Sequence, residues 1–246
     1  GFSVTCMLFG ACTAATIVLG FICVPRGNSG VPVGTQAEER SLTWLWKDGT
    51  VLWVMATGLV VALIYQGLYA STLSELIRIH FGSSVTLLGG VAVGAATLGG
   101  VLQAIRWGWE PWLAPGIGVL SDRRFGRRSM MVVSLAFGVV VFGLVAFRLP
   151  LPLWLAVLIG IQTSLTTIAD SVASDTASVR GGRVFMMWYS FAVDLGAALG
   201  PILAYLLNDM WGMDTAYAGT AVLLLILAVK WYWSAPLPKP FVRRST

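Results

Sequence analysis

Long, uninterrupted apolar runs decide what this chain can become. Seven of them occupy roughly residues 2–24, 51–73, 85–120, 129–147, 152–174, 184–207 and 214–233. A helix needs about 20 apolar residues to cross a bilayer, and each run is of that order or longer. The runs are continuous rather than alternating, which excludes the dyad pattern of a membrane barrel. Helices remain, because lipid offers no partner to an open backbone amide or carbonyl. The expected fold class is therefore all-α and polytopic, with about seven transmembrane helices. Composition agrees: 57% of the 246 residues are hydrophobic and 11% charged, against about a quarter charged in soluble domains. The lipid bilayer is the first partner.

The net charge of +5 does not point to nucleic acid, because the basic residues sit between the apolar runs. Arg123, Arg124, Arg127 and Arg128 fill the loop 121–128, Arg180 and Arg183 the loop 175–183, and Lys239, Arg243 and Arg244 the tail. Arg26, Arg40 and Lys47 lie in the segment 25–50. Alternating spans put all four segments on one side and leave the other little beyond Arg78, His80 and Arg148. The excess of Lys and Arg on cytoplasmic loops then makes the carboxy-terminus cytoplasmic and residue 1 external, in a cytoplasmic (inner) membrane. Trp44, Trp46, Trp53, Trp231 and Trp233 fall near the inner boundary and Trp154 and Trp211 near the outer one, as an aromatic belt requires.

The organisation read from these runs is a lone span 1–24, a linker 25–50, a six-helix bundle 51–234 and a tail 235–246. The chain opens on Gly1 within an apolar run that has no basic leader, which argues against a signal peptide and for a piece of something longer. Cys6, Cys12 and Cys23 all lie in the first run without metal-ligand spacing and read as buried thiols. The third run, 36 residues long, would make about 54 Å of helix, too long for a straight crossing. With Pro111 and Pro115 near its end, a kinked, tilted helix projecting from the bilayer is expected.

Between the third and fourth runs stands GVLSDRRFGRR, from Gly118 to Arg128. Asp122 can accept from a helix N-terminus or an arginine, and Gly126 permits a tight turn. Asp170 and Asp175, at the cytoplasmic end of the fifth run, are candidate partners for Arg127 or Arg128. The loop resembles the signature loop of the major facilitator superfamily: a glycine (Gly118), an acid (Asp122), a base (Arg123), a glycine (Gly126) and two bases (Arg127, Arg128). It departs from that pattern in one place, because Gly126 follows Asp122 by four residues where three are usual. The resemblance implies a conformational switch at the cytoplasmic mouth. A second likeness lies in the sixth run, where Asp194, Gly196, Gly200 and Pro201 resemble the family's glycine-rich GP stretch. The order of the two stretches makes the six-span block similar to the carboxy-terminal half of such a transporter, and the first span similar to its sixth helix. The register as an amino-terminal half with an extra helix in front remains open.

Two stripes of small residues repeat every four positions: Ala92, Ala96, Gly100, Ala104 and Gly108 on the third run, and Ala192, Gly196, Gly200 and Ala204 on the sixth. Small residues let membrane helices approach closely. Packing inside the bundle is one reading. Outward faces meeting a second six-helix half or a partner membrane subunit are the other, and the resemblance implies the latter.

Charges at mid-depth need a reason, since each costs at least about 2.5–3.5 kcal/mol by insertion scales. Glu110 and Asp194 both fall about 15 Å from the cytoplasmic end of their spans at 1.5 Å per residue, and Arg106 lies one turn further out. Gln103, Arg106 and Glu110 share a face opposite the small-residue stripe. Lining a cavity, Arg106 would bind an anionic group and a carboxylate would exchange protons; an i,i+4 ion pair between Arg106 and Glu110 is the plainer reading. Gln66, Tyr69 and Gln162 reach similar depths.

The function expected is a secondary transporter, or half of one, moving a small-molecule solute by alternating access and coupled to protons. The alternative is a truncated, facilitator-like scaffold subunit in a larger membrane complex. No hydrolase, phosphate-loop or metal motif occurs, so neither an enzyme nor a cofactor or metal is expected, and no nucleic-acid partner.

Overall fold

The computed structural model describes residues 47–82, 84–86, 92–121, 126–146, 151–180 and 182–234. At 80–81, 84–86, 92, 145–146, 151–162 and 180 it gives the backbone alone. Contacts divide the chain into Gly1–Arg40 and Ser41–Thr246. In the first unit Met7, Gly10, Ala11, Ala14, Ala15 and Val18 are described, and all six are helical. The rest of the expected first span, its three cysteines and nearly all of the linker lie outside the described residues, as does the tail from 235 onward.

The described residues of the second unit are helical almost throughout. Helix α1 (Gly49–Ala62) is capped by Asp48, whose Oδ1 accepts from the Thr50 amide at 2.9 Å. Its chain runs on through a π-helical stretch, Leu63–Tyr69, into α2 (Ala70–Phe81). One helical run therefore extends well past the expected end at 73, until Gly82 stops it with φ +82°. Then follow β1 (Ser84–Thr86), β2 (Ala92–Gly94), α3 (Ala95–Leu120), α4 (Arg127–Ala146), α5 (Leu151–Arg180), α6 (Gly182–Trp211) and α7 (Met213–Trp233). Gly126, Gly182 and Gly212 have positive φ and stand where one helix gives way to the next, a conformation that costs an L side chain about 1–2 kcal/mol.

The third run departs from expectation. It is not one 36-residue helix: β1 pairs antiparallel with β2, Val85 opposite Val93, and only then does α3 begin. Glycine costs a helix about 1 kcal/mol per residue relative to alanine, and Gly89, Gly90 and Gly94 crowd this stretch among β-branched residues. The 26 residues of α3 span about 39 Å rather than 54 Å. The helix continues through both Pro111 and Pro115.

Among the described residues, four helices are long and apolar enough to cross a membrane: Gly49–Ile79, Arg127–Leu144, Gly182–Trp211 and Met213–Trp233. The chain is an all-α integral membrane protein.

The two small-residue stripes have opposite fates. On α6, Ala192, Gly196, Gly200 and Ala204 are all buried, against α1 and the π-helical stretch of this same chain. A methyl group on Gly200 would lie 2.5 Å from the Leu63 carbonyl oxygen, so only a glycine allows this approach. This face needs no other bundle to cover it. On α3, Ala96, Gly100, Ala104 and Gly108 are exposed, and Ala95, Gly99 and Arg106 turn inward instead. Gly99 packs on α2, where an added methyl would meet Ser74 Oγ at 2.6 Å.

The centre is aromatic. Phe142 of α4 stacks on Tyr217 of α7 at 5.8 Å and meets Tyr65 edge-on at 5.4 Å. The Tyr217 hydroxyl shares a 2.8 Å hydrogen bond with Thr72 Oγ1, joining α7 to α2. At the other end of α7, Trp231 Nε1 donates to Thr57 Oγ1 of α1 at 3.0 Å.

Candidate functional site

Helix α3 carries Gln103, Arg106 and Glu110 on one face by its 3- and 4-residue spacing. Because Ala95 and Gly99 seat that side of the helix against α2, the following turns carry Arg106 into the bundle, where it is 4% exposed. Its Nη1 donates to Gln103 Oε1 at 3.1 Å, and the guanidinium lies 4.5 Å from the Trp107 ring centroid. It turns back by one helical turn rather than closing on Glu110. Arg106 Nε and Glu110 Oε2 are both buried without a hydrogen-bond partner, as are Trp109 Nε1 and the Tyr69 hydroxyl. Such atoms cost about 1–3 kcal/mol each, more for charged groups, and call for an explanation. Glu110 and Tyr69 both act electrostatically on Arg106, and Glu110 acts in turn on Asp170 of α5.

Among the described residues Asp170 meets no arginine. Its Oδ1 accepts from the Tyr189 hydroxyl of α6 at 2.9 Å, and the Tyr189 ring lies flat where Gly58 of α1 leaves room for it. The Tyr189–Asp170 bond joins α5 to α6.

At the loop before α4, Gly126 accepts from the Met130 amide at 3.1 Å and its φ of +76° makes the turn. Arg127 forms an ion pair with Asp175 and donates to the Ser171 carbonyl at 2.7 Å, tying α4 to α5. Arg128 turns the other way and caps α7, donating from Nε to the Trp231 carbonyl at 3.0 Å and from Nη2 to the Tyr232 carbonyl. Gly118 is half-buried in the last turns of α3, while Asp122 and Arg123 lie outside the described residues.

Of the remaining candidates, Tyr69 is buried beside Arg106, and Gln66 on the same π-helical stretch is exposed. Asp194 lies on the exposed side of α6, away from the buried stripe of its own helix. Pro201 is half-buried one residue past Gly200, and the side chain of Gln162 lies outside the described residues. Sequence reasoning missed Tyr189, Trp109, Thr72 and Tyr217. For Tyr189 a signal existed: the α6 stripe, extended toward the N-terminus in helical steps, runs from Ala192 to Tyr189 and Phe185, all buried.

Comparison with curated proteins and with solved structures returns no match. The sequence model described as the Major Facilitator Superfamily matches residues 112–246, more than half of the chain. The match takes in the loop from Gly118 to Arg128 and all of α4 to α7, and it starts two residues after Glu110. The chain belongs to the major facilitator superfamily of membrane transporters.

Proposed function

We propose that this chain is the carboxy-terminal half of a proton-coupled secondary transporter that moves a small solute by alternating access, with its tail on the cytoplasmic side. Solute and proton bind at Arg106 and Glu110, and the contacts of Arg127, Asp175, Asp170 and Tyr189 hold one of its conformations. The observation that carries this reading is Arg106: an arginine 4% exposed, in an apolar bundle, with an unpartnered Nε. Intramembrane charge is rare and marks solute or ion pathways. Asp194 stays a candidate for the proton from a different surface, since its carboxylate is exposed on α6.

The test is reconstitution of the full-length protein in liposomes with an imposed inward proton gradient, offered a panel of labelled metabolite-sized solutes. One solute class should accumulate, collapse of the gradient should abolish uptake, and Arg106→Gln should remove it. Unchanged gradient-driven uptake in Asp194→Asn would take Asp194 out of the mechanism. A second reading, a facilitator-like bundle kept as a non-transporting scaffold, draws on the exposed stripe Ala96, Gly100 and Ala104 of α3. Uptake no better than empty liposomes for every solute would favour it.

A further inference from the structure

The outer side of α7 joins an apolar strip to a single cation. Gly219, Leu223, Ile226 and Lys230 follow one another at 4-, 3- and 4-residue spacing and are all exposed, with exposed Val222 and Val229 beside them. From Gly219 to Lys230 the helix rises about 16 Å, which is about half the hydrocarbon thickness of a bilayer and so one leaflet. A methyl group on Gly219 would meet nothing within 4 Å, so the strip is open where it begins.

The strip ends on a charge that the bundle leaves uncompensated. The Lys230 ammonium lies 5.5 Å from the ring centroid of Trp53 on α1, a neutral partner that positions the cation without cancelling its charge. Among the described residues the ion pairs are Glu75 with Arg78 and Asp175 with Arg127, so no carboxylate serves Lys230. Asp48, the acid at the start of α1, accepts from the Thr50 amide. The dipole of α7 puts partial negative charge at this end, which would oppose an anion. Arg128 offsets it, because its guanidinium is bonded to the Trp231 and Tyr232 carbonyls. Tyr232 and Trp233 are exposed just beyond Lys230, where amphipathic rings mark the headgroup level.

A free anion would satisfy Lys230 and leave the strip unused. A zwitterionic lipid would cover the strip but bring a cation of its own. We propose that α7 and Trp53 form a binding site for a glycerophospholipid whose head carries one net negative charge. A phosphate oxygen accepts from the Lys230 ammonium, and an acyl chain lies along Ile226 and Leu223 toward Gly219. Binding is reversible and makes no covalent bond. The site does not depend on the transport reading above.

The experiment is native mass spectrometry of the full-length protein in a nonionic detergent, titrated with dioleoyl phosphatidylglycerol and, separately, with dioleoyl phosphatidylcholine. The first phosphatidylglycerol should bind about fivefold more tightly than the first phosphatidylcholine, the preference expected of one lysine at an anionic head. Lys230→Gln should erase that preference and Lys230→Arg should keep it; the side chain is exposed, so both variants fold as the parent does. Arg183→Gln, which removes an exposed charge from the start of α6, should change it by less than about twofold, because separated surface charges are screened by salt. Inorganic phosphate, and dihexanoyl phosphatidylglycerol with the same head on short chains, should displace the long-chain lipid poorly. A preference that survives Lys230→Gln would overturn the proposal. Equal losses in Lys230→Gln and Arg183→Gln would overturn it in favour of diffuse surface charge. Displacement by inorganic phosphate as effective as by the lipid would do so in favour of a free-anion site.

Discussion

Gly67 and Gly200 meet backbone to backbone: a methyl group on Gly67 would lie 2.5 Å from the Gly200 Cα and 2.9 Å from the Ala197 carbonyl oxygen. That carbonyl belongs to the residue four before Pro201, whose ring nitrogen cannot supply the usual helix donor. A π-helical stretch and a proline-interrupted ladder thus touch at one crossing.

Gly67→Ala and Gly200→Ala should each destabilise the protein by about 1–3 kcal/mol, because no flexible side chain stands in the way to yield. Gly100→Ala, on the exposed stripe of α3, should stay within about 0.5 kcal/mol of the parent. Reversible unfolding in mild detergent measures both. Equal losses at Gly100 and Gly200 would mean that the two stripes are not differently placed.

The bond from Tyr189 to Asp170 offers a clean deletion. Tyr189→Phe keeps the ring against Gly58 and removes only the hydroxyl that serves the carboxylate. A hydrogen bond to a charged group is worth about 1.5–3 kcal/mol, so a loss of that size is expected. Combined with Asp170→Asn, the losses should fall clearly short of additive, because one bond cannot be lost twice.

How much of this was legible beforehand differs from element to element. The all-α membrane character was, because a bilayer tolerates no other arrangement of backbone and long apolar runs follow from it; four of the expected spans recur among the described residues as helices long and apolar enough to cross. The strand pair Val85–Val93 was not: an apolar run reads alike in a strand and in a helix, and Gly89 and Gly90 were the signal that should have divided it. The α6 stripe announced a close approach without naming its partner, since a row of small residues fits any smooth helix. Arg106 and Glu110 were legible as charges where none belong, but the sequence left open whether they pair. Their actual arrangement depends on Gly99 and Ser74, which rotate α3 so that Arg106 faces inward. Asp170 was expected to meet an arginine and instead found Tyr189 on the neighbouring helix, a contact that no charge-pairing rule points to.

The Arg127–Asp175 pair is mostly shielded, with side-chain exposures of 22% and 13%, and should exceed a surface ion pair in strength. Arg127→Gln or Asp175→Asn alone should cost about 1–3 kcal/mol, and the reciprocal exchange Arg127→Asp with Asp175→Arg should regain part of it. If the pair holds one conformation of the bundle, each single variant should also speed hydrogen exchange at the cytoplasmic ends of α4 and α5. Stability loss without any change in exchange there would make the pair ordinary packing.

Arg128 makes a separable prediction, because its guanidinium serves carbonyls and not a carboxylate. The last turn of a helix leaves its carbonyls without internal partners, and a cation there also meets the negative end of the helix dipole. Arg128 donates to the carbonyls of Trp231 and Tyr232, and Trp231 in turn donates from Nε1 to Thr57 on α1. Arg128→Ala should therefore fray the end of α7 and loosen the indole, at a cost of about 0.5–1.5 kcal/mol, since the bond to the Trp231 carbonyl is part-buried and that to the Tyr232 carbonyl exposed. Arg128→Lys should recover only part, since an ammonium lacks the fork that reaches two carbonyls together. Tryptophan fluorescence cannot isolate Trp231 among 11 tryptophans, so the measurement is indole-selective 19F labelling, with the Trp231 resonance assigned by its Phe substitution. A broadened Trp231 signal in Arg128→Ala, sharpened again in Arg128→Lys, is the expected outcome. A signal unmoved by either change would show that Thr57 alone holds the indole and that the cap does not act beyond the helix end.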